Sequence, residues 1–160
     1  MNLHWDKLSF MQDQLDGYIA AEKGIKHADC LKEKAIALCV ELGEMLNERK
    51  FIFKYWSNKT GDRQKALTEY VDVLHFLLSY GNAIGFDFAE YEINPEVRDQ
   101  RDLILGLFAM FASMEYTEQF EDALSYFLML AKKLNFTRDE IEYEYILKHS
   151  ENHRRQEVGY

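Results

Sequence analysis

Helix breakers are scarce along this chain: a single proline, Pro95, and eight glycines serve 160 residues. A chain so poor in turn formers has little material for β-hairpins and favours long helices with short connections. Nowhere does apolar and polar character alternate strictly, as a half-buried strand requires, whereas Leu3, Leu8, Met11, Leu15 and Ile19 recur at helical spacing. Hydrophobic residues make up 48% of the chain, enough at this length for one packed core without disulfide or metal staples. The expectation is an all-α fold: one domain over residues 1–160, built as a bundle of about six helices.

Periodicity and breakers place those helices. The first spans residues 3–22 and ends at Lys23-Gly24, and the second runs from a cap at Asp29 to about Lys50. A third covers residues 62–84 and is closed by the two glycines of "GNAIGF". Asn94-Pro95, a cap followed by proline at the first helical position, opens a fourth that reaches about Met114. Thr117 caps a fifth, and the Thr-x-x-Glu capping box "TRDE" opens a last helix to about His153. The aromatic stretch "FIFKYWSNKTGD" reads as a connection folding back over a site, and residues 154–160 as a mobile tail.

The formal net charge of -9 argues against general affinity for nucleic acid or anionic lipid, both of which need a basic surface. Small phosphorylated ligands remain admissible if cations receive them. Cys30 and Cys39, on one helix and roughly 13 Å apart, are beyond disulfide reach. With no signal-peptide core and no membrane-spanning apolar run, the chain reads as cytoplasmic.

Against that background stand four carboxylates. Glu41 and Glu44 are three residues apart, as are Glu69 and Asp72 on the next long helix, and that spacing turns each pair toward a common object. Two antiparallel helices offering such pairs to each other make an oxygen cage for hard divalent cations such as Mg²⁺. The competing reading is a solvated stripe: Lys34, Glu41, Glu44 and Glu48 share one sector of their helix, with apolar residues in the others. Phe76 and Tyr80 beside Glu69 favour the cage. A di-iron carboxylate site needs Glu-x-x-His on two helices, and Asn47 stands where one histidine is required.

The segments "LCVELGEMLNE", "FKYW" and "EYVDVLHFLLSYGN", with "MQDQLD" near the start and "YILKHSENHRRQEVGY" at the end, resemble the dimeric, all-helical deoxyuridine triphosphatases of phages, some bacteria and trypanosomatids. That family lies within the wider all-α nucleotide pyrophosphohydrolases. The resemblance implies Mg²⁺ ligation by Glu41, Glu44, Glu69 and Asp72, with two or more ions and Mn²⁺ as a substitute. It implies attack of water on the α-phosphorus of dUTP, giving dUMP and pyrophosphate, with dUDP also accepted. Glu44 is the candidate catalytic carboxylate that orients and deprotonates the water, and Glu48 stays outside the metal set.

Lys148, Asn152 and Arg155 fall on one face of the last helix, where basic residues also suit the helix dipole; the matching "RQEVGY" ending assigns them to the outer phosphates. By position, Gln12 pairs with a uracil carbonyl and imide N–H, and Trp56 and His75 build the nucleoside pocket with Asp16, Lys54 and Asn82. His149 departs from the family, which usually carries Asn there.

Resemblance further implies a homodimer, for which Phe108, Phe111, Met114, Phe127 and Met129 offer apolar surface that a monomer core would equally use. In a phage-encoded enzyme, working in the host cytoplasm, a repressor protein is a further partner. Two rival readings stay open: a related pyrophosphohydrolase acting on dCTP or another nucleotide, and a non-catalytic helical interaction module.

Overall fold

A computed structural model describes residues 3–89, 91, 99–114 and 117–159. Six α-helices run through them: α1 (Trp5–Lys23), α2 (Leu31–Asn47), α3 (Arg63–Ile84), α4 (Gln100–Ser113), α5 (Thr117–Lys133) and α6 (Arg138–Glu157). Short 3-10 turns occupy His27–Cys30 and Lys50–Ile52, and no strand occurs among the described residues. The all-α expectation holds. No helix is long and apolar enough to cross a membrane.

The middle of the bundle is α3, which packs against α1, α2, α5 and α6. Its sequence explains the position. Ala66, Leu67, Tyr70, Val71, Val73, Leu74, Leu77 and Leu78 are all buried, so apolar groups surround the helix rather than forming one stripe. Asp62 starts it by accepting from the backbone N–H groups of Gln64 and Lys65. Gly85, at φ 71°, ends it in the left-handed conformation that glycine adopts without strain.

Gly81, expected to mark the same end, lies inside the helix instead. A side chain there would run into the rings of Phe88 and Phe120, so its smallness admits an aromatic cluster that includes Phe86 and extends to Trp5 through Phe88. On the far side Tyr70 stacks on Phe127 with ring centroids 4.0 Å apart and donates to the Phe127 carbonyl. Phe111, Met114, Phe127 and Met129 are buried within this one chain, which gives them to its own core.

Helix ends differ from expectation where tertiary contacts override local capping. Asp29 lies in the 3-10 turn and caps nothing; α2 begins at Leu31 without a side-chain cap and stops at Asn47, where the N–H of Glu48 turns back to Met45. Asp99 caps α4 through the N–H of Arg101, and Asn94-Pro95 lies outside the described residues. The capping box at Thr137 and Glu140 forms reciprocally. Beyond His153, α6 continues to Glu157, making 154–157 helical here.

Candidate active site

One hydrogen bond and two electrostatic couplings show how α2 lies along α3. Lys34 donates to the Ser79 carbonyl at 3.0 Å, whereas Glu41 interacts electrostatically with Asp72, and Glu44 with Glu69. Residue numbers rise along one helix as they fall along the other, so the pair is antiparallel. The two ExxE-type spacings therefore meet face to face.

Glu41, Glu69 and Asp72 each offer an oxygen, and these lie within 4.8 Å of one another. Burial, then the charges of Asp72, Glu44 and Glu69, push the Glu41 carboxyl up to about 7. Burial and the neighbouring acids raise Glu69 and burial raises Asp72, the latter against the opposing hydrogen bond from Lys148. Carboxylates forced this close need positive charge, and oxygen donors of this kind suit a hard divalent cation. The donor set thus fits magnesium.

Glu44 lies outside that trio. It is exposed at the rim, near enough for its charge to act on Glu41 and Glu69. Glu48, which sequence spacing leaves outside the metal set, also acts on Glu69.

Next to the carboxylates opens a cavity of about 600 Å³, lined among others by Glu41, Asp72, His75, Lys148, Asn152 and Arg155. Lys148 donates to Asp72 Oδ2 at 2.7 Å, and Arg155 pairs with Glu151 at 2.6 Å. All three residues assigned to phosphates therefore reach one cavity with two carboxylates of the cage.

The deeper end of the cavity is polar and buried. Gln12 Nε2 donates to Asp16 Oδ1 at 2.8 Å, while Gln12 Oε1 accepts from His75 Nδ1 at 2.7 Å and from the Tyr145 hydroxyl at 3.1 Å. Ser79 donates to the other oxygen of Asp16 at 2.6 Å. Tyr145 shares its one proton between this oxygen and the Leu8 carbonyl at 3.2 Å, so His75 is the firmer donor to Gln12, whose second amide N–H has no partner among the described residues. Stacked against Tyr145 at 4.1 Å between ring centroids, the His75 ring is buried, which holds its imidazole down at about 3 and therefore neutral.

Sequence spacing puts Lys34 on a solvated stripe, and the fold buries it. Only 5% of it is exposed; it lines the same cavity, and burial lowers its pKa against the pull of Asp16. A signal existed. Lys34, Glu41 and Glu48 repeat at seven-residue intervals, so any inward turn of Glu41 carries Lys34 inward too.

Three expected pocket residues lie elsewhere. Trp56 is 66% exposed and packs edge-on against Tyr55; Lys54 sits over the Phe53 ring; Asn82 ties α3 to α1 through the Ser9 carbonyl. None of them lines the cavity. His149 donates to the Met11 carbonyl at 3.0 Å and so joins α6 to α1.

A larger, apolar cleft of about 740 Å³ lies between α2 and α4, with none of these polar groups in its walls. Its lining offers no carboxylate and no imidazole, and the carboxylate cavity is the better candidate despite its smaller volume. Compared with known families, residues 4–160 match a family model described as dUTPase. No curated protein matches the chain.

Proposed function

This chain belongs to the dUTPase family, matching it over residues 4–160, and is a hydrolase acting on dUTP; from that premise we propose how its residues divide the work. The products are dUMP and pyrophosphate, formed by in-line attack of water on the α-phosphorus. The observation that carries this reading is the trio Glu41, Glu69 and Asp72, three half-buried carboxylates within 4.8 Å of one another beside a cavity sized for a small ligand.

Glu41, Glu69 and Asp72, with Glu44 at the rim, would hold magnesium. Two or more such ions, or Mn²⁺ in their place, would neutralise the carboxylates and supply positive charge to the reacting phosphoryl group. Glu44, the exposed member, orients the attacking water and accepts its proton.

Lys148 bonds Asp72 with one N–H and has others for a phosphate oxygen, and Asn152 and Arg155 add contacts along the same face of α6. The residues after His153 close over the outer phosphates and exclude water. Because the metal that these carboxylates would hold serves the first phosphates, dUDP is accepted as well. Lys34 and the unused N–H of Gln12 supply donors at the nucleoside end, where uracil presents carbonyl oxygens.

Two copies form the working unit. Ile36 and Val40 on α2, Leu105 on α4, and Phe51, Phe53, Tyr55 and Trp56 between α2 and α3 are exposed. All but Trp56 line two apolar clefts, and a second copy covers this face.

The test is product analysis of dUTP hydrolysis with Mg²⁺ in ¹⁸O-labelled water. The reading expects label in dUMP and none in pyrophosphate. Release of dUDP and orthophosphate, or label in pyrophosphate, would contradict attack at the α-phosphorus. Preference for dCTP over dUTP would replace the substrate.

A further inference from the structure

The polar end of the cavity has a fixed direction, and its origin is Asp16. A carboxylate oxygen accepts hydrogen bonds and has no proton to give. Both oxygens of Asp16 are engaged, one by the Gln12 amide N–H and the other by the Ser79 hydroxyl. With its NH₂ committed to Asp16, Gln12 must turn its oxygen toward His75 and Tyr145. The imidazole can meet that oxygen only with a proton on Nδ1. A neutral ring protonated there carries a lone pair, and no proton, on Nε2.

That second nitrogen has no hydrogen-bond partner among the described residues, although it is buried and His75 as a whole is 5% exposed. A buried acceptor without a partner is costly and is rarely left so in a native fold unless a ligand or ordered water completes it. His75 lines the cavity, and the spare Gln12 N–H belongs to a residue lining it too.

We infer that Asp16 acts as a positioning residue, fixing Gln12 and through it the tautomer of His75, so that His75 Nε2 accepts the imide N–H of the base while Gln12 donates to the adjacent C4 carbonyl. The inference rests on the nucleoside-binding reading of this cavity. Uracil offers N–H at N3 with carbonyls on either side. Cytosine, held in the same register, presents a lone pair at N3 and an amine at C4, so like meets like at both points. Selection against cytosine then follows from hydrogen-bond direction rather than size, the kind of contact that discriminates strongly because a mismatch leaves buried groups unpaired.

Asp16→Asn reverses the direction with little change in volume. The introduced amide can donate to the Gln12 oxygen, the Gln12 NH₂ then faces His75 Nδ1, and the imidazole proton moves to Nε2. Two measurements test this. In ¹⁵N-histidine-labelled native protein without ligand, long-range ¹H–¹⁵N correlation should show His75, assigned by loss of its signals in His75→Gln, with its proton on Nδ1; a proton on Nε2 would overturn the inference without any turnover being measured.

In Asp16→Asn the proton should appear on Nε2, and the ratio of kcat/KM for dUTP to that for dCTP should fall by about tenfold or more. A merely structural role would lower both substrates together and leave the ratio intact, which would also overturn it. Native protein that hydrolyses no dUTP would refute the proposed activity while leaving the tautomer result standing. Should Asp16→Asn fail to fold, the native tautomer still decides.

Discussion

Lys148 Nζ lies 2.7 Å from Asp72 Oδ2, and both side chains are largely withdrawn from solvent. This ammonium is thus hydrogen-bonded directly to a member of the carboxylate trio, while the same lysine lines the cavity assigned to the triphosphate. On the proposed reading Lys148 is the countercharge of Asp72 before substrate arrives and adds a phosphate contact afterwards.

Removing it should therefore separate stability from catalysis. Lys148→Met leaves Asp72 without its charged donor and should cost about 1–3 kcal/mol in the metal-free protein. Millimolar Mg²⁺ should restore most of that loss, as read by thermal unfolding with and without EDTA, whereas KM for dUTP should remain at least about tenfold above native. A loss of stability that Mg²⁺ does not repair would separate Lys148 from the metal site.

The acids themselves should set the pH dependence of the metal-free protein. Glu41 holds its proton up to about 7 in the folded state, against an ordinary value of 4.5, and Glu69 and Asp72 shift the same way. Between those values this trio binds more protons folded than unfolded, so its contribution to stability falls as pH rises, whereas buried His75, held down at about 3, adds stability as pH rises toward its ordinary 6.5. The two are separated by difference: in EDTA, the Tm of native protein minus that of Glu41→Gln should fall from about pH 5 to about pH 8, because His75 acts equally in both. Glu140, lowered to about 2 by its bonds to Arg63 and Thr137, acts below that window. A difference that grows across the same range would show that burial and the neighbouring acids do not hold the Glu41 proton as their spacing requires.

Lys34 should matter for binding and little for folding. A buried ammonium with a single carbonyl partner is costly to desolvate, and replacing such a charge by an apolar group of similar volume is often neutral or stabilising. Lys34→Met should keep or raise Tm, yet raise KM for dUTP by about tenfold, equivalent to about 1.4 kcal/mol. Unchanged kinetics would assign Lys34 to helix packing alone.

How far the sequence reaches can be seen residue by residue. Spacing makes a meeting of Glu41, Glu69 and Asp72 legible, but a solvated stripe fits the same intervals, and it is the resemblance that decides between them. The capping box at Thr137 and the start of α3 near Asp62 are legible locally. What spacing does not encode is which polar residues a neighbouring helix covers. Lys34 looks solvated from spacing because its partner, the Ser79 carbonyl, is a backbone group 45 positions away. Resemblance places Trp56 in the nucleoside pocket, whereas within this chain it faces outward beside Tyr55. Position alone lets Gln12 meet the base with both halves of its amide, but the Tyr145 and His75 donors that occupy its oxygen come from helices far along the chain.

The exposed face formed by Ile36, Val40 and Leu105 should hold two copies together. Val40→Lys puts a charge in the middle of that face and should shift the protein from dimer to monomer in light scattering coupled to size-exclusion chromatography, with helicity retained by circular dichroism. A native protein that elutes as a monomer at micromolar concentration would remove the proposed assembly.

The most direct measurement is Mg²⁺-dependent pyrophosphate release from dUTP by native protein beside Glu69→Gln, both verified as folded. Native protein should turn over dUTP only when Mg²⁺ or Mn²⁺ is present, and the variant, lacking one charged oxygen of the trio, should lose at least about a thousandfold in kcat/KM, roughly 4 kcal/mol of transition-state stabilisation. Native-like turnover by Glu69→Gln, or native turnover indifferent to EDTA, would show that these carboxylates do not assemble the catalytic metal site.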